Sequence, residues 1–320
     1  MVSTAKASSS RPFILRKGIA TLADLADGGG AFGYPGDYPG RIYYVNNING
    51  LSTNDGLSWD TAFDQVSTAV TASETFRALP SGSTNDYIRN IIYVQGTGTA
   101  YTKLTSLPSY CDIIGIGADP RGNGAGIAQI TGSTSAAIAG ASRGLRLYNL
   151  QFTGSGSYYA AAFTVLFRSW FENCTFVNSD TGGLDITTGG GYVVKNCQIG
   201  CGDTSFSVTG MRVGTGGTNF NNCLIEDCVI YGSTTGFLNA GYLCNGTVIR
   251  NNVIMGGTTG VDDNSTHTTI GVLPMYVGNY IWGGSDAMSM SNGSGANTLG
   301  NWVSNAGVAA IEETITDITT

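Results

Sequence analysis

Carboxylates are the side chains in this sequence that could do hydrolytic work, and they occur in few combinations. Acid chemistry at a sugar bond needs two carboxyl groups about 5 to 9.5 Å apart. The sequence offers Asp262-Asp263, Glu226-Asp227 and the separate acids Asp180, Asp185 and Asp203. Neighbours on one strand point to opposite faces, so Glu226 and Asp227 do not converge. Asp262 and Asp263 are placed in an outer loop, where solvated acids are the ordinary outcome. An eliminating enzyme would need several close acids around a cation, with an Arg or Lys base. Arg212 lies near Asp203 and Lys195 precedes Asn196, yet no acid cluster gathers around either. His267, the sole histidine, sits in Ser-Thr-His-Thr-Thr and reads as a loop residue. No catalytic residue is assigned.

The remaining reactive side chains are equally sparing. There are seven cysteines, with three residues between Cys197 and Cys201 and four between Cys223 and Cys228, but no CxxC pair. An odd count without paired spacing argues against a zinc site or a full disulfide framework, so buried free thiols are expected and no metal or cofactor is assigned. Gly182-Gly183, Gly189 to Gly191 and Gly216-Gly217 are read as turns between strands, not as phosphate cradles. Tyr43-Tyr44 and Tyr158-Tyr159 could stack on sugars, although core or interface packing is the expected role.

What must position these groups is a β-rich chain. Of 320 residues 48 are Gly, and only 12% are charged against 42% hydrophobic. That charge content is about half the usual level, which excludes a charged helical bundle, while the apolar share excludes disorder. Fifteen basic and twenty-two acidic residues give a net charge of −7. No basic stripe runs along the body, so nucleic acid is not an expected partner. No stretch approaches the ~18 apolar residues of a membrane span.

A repeat sets the architecture. Aligned on Asn149, Asn173, Asn196, Asp227, Asn251, Asn279 and Asn301, the spacings are 24, 23, 31, 24, 28 and 22. Two residues before each anchor stand Leu147, Phe171, Val194, Ile225, Ile249, Val277 and Leu299, all apolar. One residue after come Leu150, Cys174, Cys197, Cys228, Asn252, Tyr280 and Trp302; three after come Phe152, Phe176, Ile199, Ile230, Ile254, Trp282 and Ser304. Short strands cannot bury an apolar face alone, so each coil must stack on the next. Asn tolerates the left-handed bend between two strands, and its amide can bond to the Asn one rung away. Cys174, Cys197 and Cys228 should form an inward column. Val194→Asp is expected to be severe and Asp185→Ala nearly silent.

These features resemble the right-handed parallel β-helix proteins of the pectin-lyase-like class. Upstream, Arg41-Ile-Tyr-Tyr-Val45 and Asn54-Asp-Gly-Leu-Ser-Trp-Asp-Thr-Ala-Phe63 look like the opening strand, turn and Trp-containing lead of that class, with residues 64–79 as a capping helix. Ile91 to Val94, Ile113 to Gly117 and Ile127 to Ile130 match first coils. The resemblance covers residues 41–305 and implies an all-β fold: a right-handed parallel β-helix solenoid with an N-terminal capping helix and an extended N-terminal arm. Its members include lyases, hydrolases, phage tailspikes and non-catalytic virion proteins. The hydrolase motifs Asn-Thr-Asp, Asp-Asp, Gly-His-Gly and Arg-Ile-Lys are represented by Asp262-Asp263 alone.

The expected organisation is an arm and linker (1–40), a strand and capping helix (41–90), the β-helix (91–305) and a C-terminal tail or cap (306–320). The arm has four basic and three acidic residues, against eleven and nineteen in the rest. Within it Phe13, Ile14, Leu15, Arg16 and Lys17 form an apolar and basic cluster suited to docking on a partner. Arg16 and Lys17 also interrupt the apolar run that a secretory leader would need. The expectation is a structural virion protein, of capsid-decoration or spike type, made in a host cytoplasm. It would be anchored to capsid or tail proteins by its arm and would self-associate as a homotrimer. The competing expectation is an enzyme degrading polysaccharide, and a cell-surface glycan is a candidate ligand for either.

Overall fold

The computed structural model describes residues 40–78, 88–122, 124–178, 180–201, 207–215, 218–241, 244–264, 274–290, 297–305 and 311–312. The docking cluster Phe13, Ile14, Leu15, Arg16 and Lys17 lies outside the described residues, as do Asp203 and His267.

Among the described residues, strands of two to nine residues build three sheets of ten, ten and nine strands. The chain visits them in rotation, so that Cys111–Ile116 lies in the first, Gln129–Thr131 in the second and Ile138–Arg143 in the third before the cycle repeats. Each strand pairs with its equivalent in the next coil, always in parallel. The exception is Ile311–Glu312, which pairs antiparallel with Trp302–Asn305 at the end of the second sheet. This is the right-handed parallel β-helix expected from the repeat.

Period-two alternation explains why such short strands hold. In the first sheet Ile113, Leu147, Phe171, Val194, Ile225 and Ile249 are in register and fully buried. In the second, Ile130, Phe152, Phe176, Ile199, Ile230, Ile254 and Ile281 do the same. The Phe152 and Phe176 rings stack at 5.2 Å with 6° between planes. Each fully buried side chain of this size stabilises by about 1.5–3 kcal/mol. Val194 sits in the middle of the first column, as expected.

The corner between first and second sheets corrects the expected anchors. Asn149, Asn173, Asn196, Asp227 and Asn251 take left-handed φ of 50 to 55°. In the last two coils, however, the bend falls on Gly278 and Gly300, both at 61°, and not on Asn279 and Asn301. Glycine accepts that conformation without steric cost, which frees the following Asn to point inward. The true inward column is therefore Leu150, Cys174, Cys197, Cys228, Asn252, Asn279 and Asn301, each at most 2% exposed. The expected amide ladder exists mainly in this column. Asn252 Nδ2 donates to Asn279 Oδ1 at 3.0 Å, and Asn279 Nδ2 to Asn301 Oδ1 at 2.9 Å. Among the bend residues one such bond occurs, from Asn173 Nδ2 to Asn149 Oδ1 at 2.9 Å.

Helix α1 (Val66–Ala78) closes the N-terminal end, with Val66, Ala69 and Val70 joining the core beside Tyr43 and Phe63. The turn before it depends on Gly56, whose φ is +70° and where a Cβ would lie 2.2 Å from the Phe63 ring. Asp55 holds the same turn by accepting from the Leu57 N–H and the Thr61 hydroxyl, at 3.0 and 2.6 Å. Tyr43 is thus core. Tyr44 faces outward but lies under Trp59, ring centroids 4.8 Å apart, so neither is a sugar platform.

Candidate functional site

Outward positions of the three sheets form three walls of different character. On the first, Glu172, Lys195, Glu226 and Arg250 stand in register on four successive coils, alternating in sign. Glu226 accepts from Lys195 Nζ at 2.9 Å and from Arg250 Nε and Nη2 at 2.9 and 2.6 Å. These bonds, to Lys195 foremost, hold its carboxyl below the usual range. Lower on the same wall Asp112 meets Arg89 directly and Arg146 at 3.9 Å. Here burial outweighs both cations and pushes the carboxyl upward. Trp170 Nε1 donates to Glu172 at 2.9 Å. Asp227, as expected, serves the bend and does not work with Glu226.

The third wall holds the remaining candidates. Asp185 is buried and accepts two bonds of 2.8 Å from Arg212, whose guanidinium lies 4.7 Å above the Tyr159 ring. The expectation that Asp185→Ala is silent is therefore corrected: a bidentate, half-desolvated pair contributes to stability. Tyr159 is buried beneath that pair, while Tyr158 is 53% exposed. Asp180 is exposed and caps the Gly156 N–H at 2.9 Å.

Asp262 and Asp263 lie on a strand, Thr259–Asp263, and not in a loop. Alternation separates them. Asp262 faces out, and burial pushes its carboxyl upward. Asp263 faces the interior, where it accepts from Tyr276 Oη at 2.9 Å and Asn239 Nδ2 at 3.0 Å. Burial, then the Asp263 charge, raises the Tyr276 phenol well above its usual range. The two acids cannot act together on one substrate.

All seven cysteines are free and buried. Burial pushes Cys174 and Cys228 well above the usual thiol range and Cys223 and Cys244 up to about 11 and 12. Such thiols are poor nucleophiles at neutral pH. Among the described residues no group of three His, Cys, Asp or Glu side chains is placed to hold a metal ion. No helix among them is long and apolar enough to cross a membrane.

The second wall is what sequence reasoning missed. Placing the last two bends at Asn279 and Asn301 turned Tyr280, Trp282 and Trp302 inward; with the bends at Gly278 and Gly300 all three face out. They join Val229, Val253, Tyr231 and Met255 in two outward columns over four coils. The signal was present in Gly278 and Gly300, each directly before an Asn.

No protein-family model matches the chain, and no curated protein matches it. Among solved structures, a pectin methylesterase variant in complex with a hexasaccharide aligns over 86% of this chain and 91% of its own. Its identity is 12% and its TM-score 0.48. Pectate lyase Pel9A aligns over 84% and 78%, with 16% identity and TM-score 0.47. The Escherichia coli protein ybhc aligns over 96% and 94%, with 12% identity and TM-score 0.46. Likeness at this level says nothing about activity.

Proposed function

We propose that the chain is a non-catalytic structural protein of a phage-type virion, displaying its β-helix and anchored by Phe13, Ile14, Leu15, Arg16 and Lys17. The supporting observation is the state of the acids on its walls. Glu226 is shared by Lys195 and Arg250, Asp112 by Arg89 and Arg146, and Asp185 is bound to Arg212 on two atoms. Carboxylates engaged in this way brace neighbouring coils and are neutralised by a cation of an adjacent coil. Capsid or tail proteins are the expected partners of the arm, and a homotrimer the expected assembly. Two measurements test this. Incubation with bacterial capsular and plant polysaccharides should release no new reducing or unsaturated ends. A chain beginning at Arg41 should stay folded but lose attachment to particles stripped of the protein. Cleavage products, or full attachment without the arm, would overturn the reading.

One observation favours the alternative, a polysaccharide-degrading enzyme. Asp262 is an outward carboxyl raised by burial, a state that suits a general acid. If it acts so, Asp262→Asn should remove any product release detected.

A further inference from the structure

We infer that the outer face of the second sheet over the last four coils is a docking surface for a second copy of this chain. The inference rests on the structural reading above and names the surface through which that assembly would form.

Three features select this wall. The first is charge. The parallel strands of the second sheet, from Tyr101–Thr102 to Trp302–Asn305, contain no Asp, Glu, Lys or Arg, whereas those of the first sheet carry six. Protomers of net charge −7 repel each other, and a neutral wall is where two copies meet with the least like-charge cost. A glycan would be gripped by charged or amide side chains around its aromatic platform; here Val229, Val253 and Met255 adjoin the rings, and the exposed Asp227 and Asn251 stand only at the corner.

The second feature is exposure. Val229, Val253, Tyr280 and Trp302 are in register on successive strands and are 39, 36, 43 and 49% exposed. Across the glycine bends, Met275 and Leu299 of the first sheet are also exposed and extend the patch. Aromatic and Met side chains are those enriched at the centres of interfaces. With strands 4.8 Å apart and 3.3 Å per residue, the last four coils give roughly 250 Å² in plan and all nine coils of this wall roughly 500 Å². Side chains standing on it bring the accessible area toward the ~800 Å² per partner of a stable interface. The polar Gln129 to Gln198 half supplies the rim.

The third feature is the state of the ends. Helix α1 covers the first coil, and Ile311–Glu312 pairs with the last strand of the second sheet. The parallel stacking of the second sheet thus stops at Trp302–Asn305, and its outer face is the larger surface that this wall offers to another copy.

Sedimentation equilibrium of the full chain, from about 0.1 to 100 µM, tests the inference. The native chain should have the mass of two or more chains. Val253→Glu and Trp302→Glu should each weaken association at least ~30-fold, as central interface residues do. Thr164→Glu, on the exposed face of the third sheet, should not. Hydroxyl-radical footprinting of the unsubstituted chain gives a second readout that needs no variant to fold: Tyr280 and Trp302 should become protected as concentration rises. A monomer at 100 µM, unchanged association in both folded variants, or Tyr280 and Trp302 protected only by added oligosaccharide would overturn it. A monomer that releases no sugar would sink this surface and spare the non-catalytic reading; an assembled chain that does release sugar would do the reverse.

Discussion

Two walls that meet at one corner solve the same problem in opposite ways. Both are single layers of parallel strand whose inner face is filled by one apolar column. On the outer face the first sheet stacks Glu172, Lys195, Glu226 and Arg250, so each coil presents the opposite charge to its neighbour. The second stacks Val229 on Val253, Tyr280 and Trp302. Stacking identical charges every 4.8 Å would be repulsive, so a repetitive fold can hold charge on a wall only by alternating its sign. A wall with neutral side chains escapes that constraint but leaves its apolar surface in water. The first wall is internally satisfied and the second is not, which is why the second is the one expected to find a partner.

The largest effect should come from cutting the corner that both walls share. Asn279 accepts from the Asn252 N–H and Nδ2, and it donates to Ile249 O at 2.9 Å and to Asn301 Oδ1. Asn279→Leu leaves the Asn252 N–H and the Ile249 carbonyl without these buried bonds. Each such loss costs ~1–3 kcal/mol, so a loss of about 3–5 kcal/mol is expected in denaturant unfolding. Cys197→Ala, on the same column among sulfur neighbours, removes a small volume and only weak thiol bonds to the Lys195 and Phe171 carbonyls, and should cost roughly half as much. Equal losses would show that the amide ladder carries no special weight.

The charged wall should respond next, and its two ends should respond to pH with opposite signs. Glu226→Gln is expected to cost about 1–2 kcal/mol near pH 7, discounted because Lys195 and Arg250 are well exposed. The Glu226 carboxyl is held below its unfolded value, so its stabilisation is present above that value and is lost as pH falls through the folded one. The cost of Glu226→Gln should therefore shrink on acidification. Asp112 is raised, so its contribution is full below the unfolded value and declines as pH rises through the folded one. The cost of Asp112→Asn should accordingly be smaller at pH 7 than at pH 3. Melting curves of both variants across that range would settle the matter; parallel trends would show that burial does not prevail over Arg89 and Arg146.

How far these walls were legible depends on what a single residue can decide. The coil length, the inward columns and the cysteine stack could be read because stacking repeats residue types at near-constant intervals. Asp263 could not, because an acid inside the coil needs Tyr276 and Asn239 brought from other strands, and their spacing of 13 and 24 residues from it has no local signature. The Asp185–Arg212 pair was hidden for the same reason, since it joins coils 27 residues apart. The corner of the last two coils failed differently. Asn at both bend and inward positions made the columns look continuous, and a slip of one residue turned a whole outer face inward. The site that most needed correct register was the one where glycine replaced Asn at the bend.

The smallest expected effect tests that register directly. Tyr280 and Ile281 are neighbours on the strand Tyr280–Gly283, the first 43% exposed and the second fully buried. Tyr280→Gln, measured dilute enough to keep the chain monomeric, should change unfolding free energy by no more than about 0.5 kcal/mol. An exposed ring gives up little contact when replaced by a polar side chain that water can solvate. Ile281→Gln places an amide between Ile254 and Val303, its partners in the inward column. It should cost several-fold more, because the amide loses water and gains no assured bond. The inverse result, a severe Tyr280→Gln and a mild Ile281→Gln, would return the bend to Asn279. It would also remove the apolar wall, and with it the docking surface.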